Sequence, residues 1–230
     1  MIKLIGFLTR KPGMSIADFQ AYWREVHAPM IAASPGLRRY IQSHACPEVY
    51  DEYPPAYDGV AEAWFDDLDA FNAAVAGPSW RAAIADTGNF MAPGGGRLLA
   101  TEVPMIDTLH TPAERRGMIK FIGLLTRRPG MEVREFQDHW RNVHGPLVQA
   151  EFPEMQRYVQ CHAIPETYSL TPPPAFDGVP EAWFENLDVF PWRMVRRRGE
   201  ELQTAAAQDS QSIFVQPIPS VVAREVVIVE

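Results

Sequence analysis

Two histidines stand in nearly the same company in this chain. His27 lies in the run Phe19-Gln20-Ala21-Tyr22-Trp23-Arg24-Glu25-Val26-His27-Ala28-Pro29, and His144 in Phe136-Gln137-Asp138-His139-Trp140-Arg141-Asn142-Val143-His144-Gly145-Pro146. An imidazole has an unperturbed pKa of about 6.5, so it suits proton abstraction next to a carbonyl, or loss of water, near neutral pH. At helical spacing Ile16, Phe19, Trp23, Val26 and Met30 share one face, and His27 sits four residues after Trp23 on the flank of that apolar stripe. Each ring is thus aimed toward the interior. A histidine so placed is more often a packing residue than a catalyst, and a copied scaffold copies its packing too. Pro29 and Pro146 bias the preceding residues away from helical dihedrals, so each helix is expected to end close to its histidine.

A second histidine pair, His44 and His162, lies on strand-like runs. There Tyr40, Gln42 and His44 share one face while Ile41, Ser43 and Ala45 share the other, and Tyr158 corresponds to Tyr40. Candidate acid–base groups are therefore His27, His144, His44 and His162. Candidate binding residues are Phe7, Phe19, Trp23, Tyr40, Glu62, Trp64 and Phe65 in the first half, with Trp140, Tyr158, Glu181 and Trp183 in the second. Aromatic walls would hold an apolar ring and exclude water, while Tyr40, Gln42, His44 or Glu62 could hydrogen-bond a developing enolate. These groups serve one pocket only if they face the same side of their sheet. No Cys-x-x-Cys, His-Glu-x-x-His or Cys/His cluster is present, and Cys46 and Cys161 do not make a disulfide scaffold, so neither a metal nor a cofactor is expected.

The elements that position these residues occur twice. Residues 1–33 align without gaps to 118–150, with 19 of 33 positions identical, and small slips in loops carry the match on to Trp64-Phe65 and Trp183-Phe184. The expected organisation is one repeat over 1–106, a linker over 107–117 and a second repeat over 118–230. Each repeat opens with a β-branched and aromatic strand, Ile2–Thr9 or Ile119–Thr126. Ser15 precedes Asp18 by three residues as a capping box, and Glu132 weakens that cap in the second copy. The order β-α-β-β-α-β is the ferredoxin-like pattern. The expected fold is α+β, with two ferredoxin-like repeats packed sheet to sheet within the chain as an intrachain dimeric α+β barrel.

Bulk properties exclude several classes. A 230-residue chain with 47% hydrophobic and 22% charged residues fits a globular protein, and a net charge of −8 lacks the basic field that nucleic acid requires. Arg196-Arg197-Arg198 is too short to reverse this and reads as a surface cluster on a helix. No charged-then-apolar leader and no membrane-length apolar stretch occurs, so a cytoplasmic protein is expected, an intrachain pseudo-dimer with a small molecule as partner and a further homodimer left open.

The sequence Thr9-Arg10-Lys11-Pro12-Gly13, then Phe19, Trp23, Val26-His27-Ala28-Pro29, Arg39-Tyr40 and Asp58-Gly59-Val60-Ala61-Glu62-Ala63-Trp64-Phe65 resembles the EthD family of the dimeric α+β barrel superfamily. The resemblance implies pockets between each sheet and its helices. It also implies an enzyme of small-molecule catabolism or tailoring: a cofactor-independent lyase, isomerase or cyclase using histidine acid–base chemistry on a small, mostly apolar, oxygenated compound of aromatic or polyketide type. The alternatives it leaves are an oxygen- or haem-dependent oxidoreductase or monooxygenase, and a non-catalytic small-molecule-binding accessory protein. The family's acidic residue near the end of the second helix is matched by Asp86 and more loosely by Asp209. Because Arg193, Arg196, Arg197 and Arg198 rewrite the adjacent helix of copy two, activity is expected first in copy one.

Overall fold

The computed structural model describes residues 1–194 and 204–230. Copy one runs β1 (Ile2–Leu8), α1 (Ile16–Tyr22), α2 (Ala28–Ala32), β2 (Leu37–Ala45), β3 (Gly59–Phe65), α3 (Leu68–Val75), α4 (Pro78–Asp86) and β4 (Arg97–Ile106). Copy two runs β5 (Ile119–Gly123), α5 (Val133–His139), α6 (Gly145–Glu151), β6 (Arg157–Ala163), β7 (Gly178–Phe184), α7 (Ala205–Ile213) and β8 (Ser220–Val229). A single 3-10 turn, Trp192–Met194, is all that is described where copy one has α3. The basic run Arg196-Arg197-Arg198 lies outside the described residues.

The expectation of two ferredoxin-like repeats, each with its own sheet and packed face to face, is corrected by the strand pairing. All eight strands close into one antiparallel barrel in the order β1-β3-β2-β8-β5-β7-β6-β4. The joins between copies are backbone ladders: β2 pairs with β8 from Tyr40↔Val229 to Ala45↔Ala223, and β4 with β6 from Ala100↔Ala163 to Ile106↔Tyr158. The cause is the length of the last strand in each copy. Residues Arg97–Ala100 of β4 pair with β1, and the rest of that strand runs on to pair with the other copy; β8 does the same from Ser220–Ala223 on β5 to β2. Closure satisfies the rows of N–H and C=O groups that two separate sheets would leave at their edges.

Strand alternation sorts side chains to the two sides of this wall. Ile5, Phe7, Val60, Leu98, Ile122, Val159, Val179 and Val221 pack inside the barrel. So do two lysines and two glutamates. Lys3 Nζ lies 2.6 Å from Glu181 and 2.7 Å from Glu62, while Lys120 Nζ lies 2.6 Å from Glu62 and 3.4 Å from Glu181. All four are essentially inaccessible to water. Buried charges persist only when paired and hydrogen-bonded, and here each lysine bridges the two copies, so the tetrad ties one half to the other. Burial would raise both carboxyls. Lys120 and Lys3 outweigh it at Glu62, which also accepts the Ser43 hydroxyl at 2.6 Å and is held below the usual carboxylate range. At Glu181, burial and the negative charge of Glu62 push the carboxyl up to about 7. Among the described residues, no helix is long and apolar enough to cross a membrane.

Candidate functional site

The helices that carry the first histidine pair do not stop at them. Ser15 caps α1 through the Asp18 N–H at 3.0 Å, whereas Glu132 makes no such bond at α5. Then α1 widens into a π-turn, Trp23–His27, and continues as α2; α5 does the same through Trp140–His144 into α6. The expected helix end at each histidine is thereby corrected. The Ala28 N–H donates to Trp23 O, one residue further back than in an α-helix, and Gly145 repeats this with Trp140. That extra residue leaves Pro29 and Pro146, which have no N–H, in the first turn of a new helical segment where none is needed.

His27 is therefore held inside a continuous helix, with Nδ1 3.0 Å from Asp86 Oδ2. Asp86 also accepts from Tyr22 Oη at 2.7 Å and Asn89 Nδ2 at 2.9 Å, and Phe90 packs 4.8 Å from the imidazole. Burial lowers the His27 pKa, and Asp86 opposes that only in part, so the ring is neutral at pH 7. In copy two His144 Nδ1 lies 2.9 Å from Asp209 Oδ2, and the other carboxylate oxygen is 2.8 Å from His139 Nε2. His139 thus takes the part that Tyr22 plays in copy one.

His44 and His162 lie on the same side of the wall, beneath the tryptophans. Trp23 stacks on His44 at 4.7 Å and Trp140 on His162 at 4.4 Å. Their Nε2 atoms bond Gln42 and Gln160 at 2.9 Å, and each glutamine amide donates onward to the tryptophan carbonyl and to Tyr40 or Tyr158. Burial lowers both imidazoles to about 4 and raises both phenols to about 12. His44 and His162 thus each hydrogen-bond a glutamine through Nε2, while His27 and His144 each hold an aspartate through Nδ1. Gly59 and Gly178 let the indoles lie flat on the sheet, because a Cβ at either would overlap the Trp23 or Trp140 ring. Asp58 and Asp177, just before these glycines, are held by Arg10 with Tyr50 and by Arg127 with Tyr168.

The other sequence candidates divide between the two sides of the wall. Phe19 packs with Trp23 and Phe90, and Phe65 with Phe71 and Trp80, both under the helices. Glu62, Trp64, Glu181, Trp183 and Phe7 face the barrel interior: Phe7 meets Tyr57 and Phe176, and the Trp64 indole donates to Glu102 at 3.0 Å. They share no space with the helix-borne histidines. Glu102, Cys161 and Glu181 converge as metal ligands could, but Lys3 Nζ lies 3.3, 3.7 and 2.6 Å from them and takes the place a cation would.

A cavity of about 150 Å³ opens between the sheet and helices of copy two, bounded by His144, Trp140, Tyr158, Phe121, Phe214 and the small residues Ala206 and Ser210. The expectation placed activity first in copy one, whereas this cavity lies in copy two. In copy one Trp80 meets Phe65 and Phe71 under α4, and Phe90 covers His27. Equivalent backbone bonds, Lys11 N–H to Phe90 O and Arg128 N–H to Ile213 O, align Ile213 with Phe90, while the ring that packs on the histidine of copy two is the next residue, Phe214, 5.0 Å from His144 and 5.8 Å from Phe136. Asp209 is the residue that spacing alone gave least reason to choose, since its helix has diverged from α4.

A closed antiparallel barrel with helices on its outer face, each copy carrying a helix-borne histidine on an aspartate, defines an α+β barrel protein. The EthD domain family matches residues 11–94 and 128–198, one segment in each copy, and the chain belongs to the EthD family. Among solved structures it is similar to an anthrone oxidase-like protein, with 12% identity, a TM-score of 0.65, and coverage of 100% of this chain and 93% of that one. It is also similar to a candidate monooxygenase from Fusobacterium nucleatum (8% identity, TM-score 0.55, coverage 99% and 92%) and to a candidate chlorite dismutase (10%, 0.56, coverage 98% and 94%). No curated protein matches. Such identities carry fold and not chemistry.

Proposed function

We propose that copy two binds a small, mostly apolar, oxygenated ring compound and that His144 acts on it as general base in cofactor-independent lyase, isomerase or cyclase chemistry. The observation that carries this reading is the cavity beside His144 together with the Asp209 carboxylate behind it. An Nδ1–H donated to Asp209 puts the basic lone pair on Nε2, and the carboxylate stabilises the imidazolium formed when a proton is taken. Tyr158, a wall of the cavity whose phenol stays protonated far above neutral pH, is a suitable donor to an enolate oxygen. Phe121, Trp140 and Phe214 supply apolar faces for the ring.

Size limits the ligand. A cavity of about 150 Å³ takes one six-membered ring. It is too small for a porphyrin, so its lining does not fit haem. The likeness to anthrone oxidase-like and monooxygenase structures favours a second reading, in which the carbanion that the same base creates reduces dioxygen, its electron pair becoming the C–O bond of a peroxide. A panel of single-ring lactones, quinones and β-keto compounds, assayed for product and for oxygen uptake, separates the two. Turnover without oxygen uptake that is lost in His144→Ala supports the first reading; turnover that survives in His144→Ala refutes both.

A further inference from the structure

We infer that Gln160 is a positioning residue that turns the Tyr158 hydroxyl proton toward the cavity of copy two, so that the site holds a ring bearing an oxyanion in preference to its neutral form; this rests on the reading of that cavity as the ligand site. Gln160 is fully buried on β6, between Tyr158 and His162 on the same face of the strand. Its Nε2 lies 3.0 Å from Trp140 O and 3.2 Å from Tyr158 Oη, and its Oε1 lies 2.9 Å from His162 Nε2. A backbone carbonyl only accepts, so the nitrogen end of the amide must face Trp140. The oxygen end then faces His162, whose Nε2 must carry the proton, and burial keeps that ring neutral by lowering it to about 4.

The direction of every bond in this chain of groups is thereby set. One hydrogen of the amide goes to Trp140 O and the other to Tyr158 Oη, where the phenol accepts. Burial pushes the phenol up to about 12, and the Gln160 and Trp140 side chains, approaching its oxygen as donors, oppose that rise. With its lone pairs engaged by donors, the hydroxyl has only its own proton left to give. Among the described residues no hydrogen bond takes that proton, and Tyr158 lines the cavity beside Trp140. A donor held ready costs no reorganisation when negative charge develops on a ligand oxygen. Copy one builds the same chain of groups, with Gln42 Nε2 3.0 Å from Trp23 O and 3.1 Å from Tyr40 Oη, and His44 Nε2 2.9 Å from Gln42 Oε1, which supplies an internal control.

The test uses 4-nitrophenol, a single ring whose phenolate stands in for an enolate, bound to the full chain and read by visible absorbance. In wild type and in Gln42→Met the bound probe is expected to favour the phenolate about tenfold more than in Gln160→Met, the ratio that a hydrogen bond to a charged oxygen supplies. Tyr158→Phe, which keeps the ring and removes the proton, is expected to lose the same preference, and adding Gln160→Met to it is expected to take away nothing further. A phenolate preference unchanged in Tyr158→Phe would overturn the inference, and that result is read even where Gln160→Met does not fold. So would a preference that falls equally in Gln42→Met and Gln160→Met, or one indifferent to Gln160→Met. Those outcomes leave the ligand site standing. A probe that does not bind, or that still binds in Ala206→Leu, would overturn the ligand-site reading and the inference with it.

Discussion

Ala83 and Ala206 occupy equivalent places on α4 and α7, three residues before Asp86 and Asp209, yet they face different surroundings. Ala83 is fully buried in a core with Phe65, Phe71 and Trp80, whereas Ala206 is a wall of the cavity beside His144. Leucine at either site adds three carbons. At about 0.8 kcal/mol per buried carbon, filling an existing void gains about 2.4 kcal/mol, and ordering the longer side chain returns about 0.5–1 kcal/mol of it. Ala206→Leu is therefore expected to stabilise the fold by about 1–2 kcal/mol and to abolish binding of a single-ring ligand. Ala83→Leu must force packed neighbours apart and is expected to cost about 1–3 kcal/mol while leaving binding intact. Urea unfolding gives the stabilities, and calorimetric titration with a monocyclic β-keto compound gives the binding. In a thermal scan each kcal/mol corresponds to about 2–4 °C for a chain of this size. If Ala206→Leu is destabilised as much as Ala83→Leu, the void is not available to a side chain. If it is stabilised but binds as wild type, the ligand lies elsewhere.

Acid should destabilise the protein through its buried histidines. The folded His44 and His162 rings stay neutral down to about 4, while the unfolded rings protonate near 6.5, so the unfolded state binds more protons between those values. Stability is then lost as pH falls through that window, by up to about 3 kcal/mol per ring at pH 4, and urea midpoints for a His44→Gln, His162→Gln variant should fall less steeply than wild type. An equal slope would mean that these rings are not the proton-sensitive groups. Lys3→Met leaves Glu181 and Glu62 with one lysine and should cost about 3–5 kcal/mol by urea unfolding, most of it recovered in Lys3→Met with Glu181→Leu. No recovery in the double variant would count against the tetrad as the source. Gly178→Ala drives a methyl into Trp140 and should cost about 1–3 kcal/mol and weaken ring binding, whereas Gly59→Ala should cost as much with binding unchanged.

Much of the site could be read from the sequence because its signals are local and doubled. The 19 identities between residues 1–33 and 118–150 disclosed the two copies, and the spacing from Trp23 to His27 aimed the ring inward. Period-two alternation grouped Tyr40, Gln42 and His44 correctly, but alternation says which residues share a face and not which face is inside. Glu62 and Trp64 could therefore not be separated from His44 until the barrel closed. Closure itself was hidden because strand length does not name a partner; only the ladders show that β4 serves β1 with its first residues and β6 with the rest. Lys3 and Lys120, matched charges within apolar strands, were the available hint of the buried tetrad. Pro29 misled for a physical reason: a π-turn absorbs a missing N–H that an α-helix cannot.

The central claim is that a base works in copy two. It is tested most directly by solvent deuterium exchange into the acidic carbon position of a monocyclic β-keto compound, followed by proton NMR. Wild type and His27→Ala are predicted to exchange well above the buffer rate, and His144→Ala to fall to it. Exchange retained in His144→Ala but lost in His27→Ala would contradict the account.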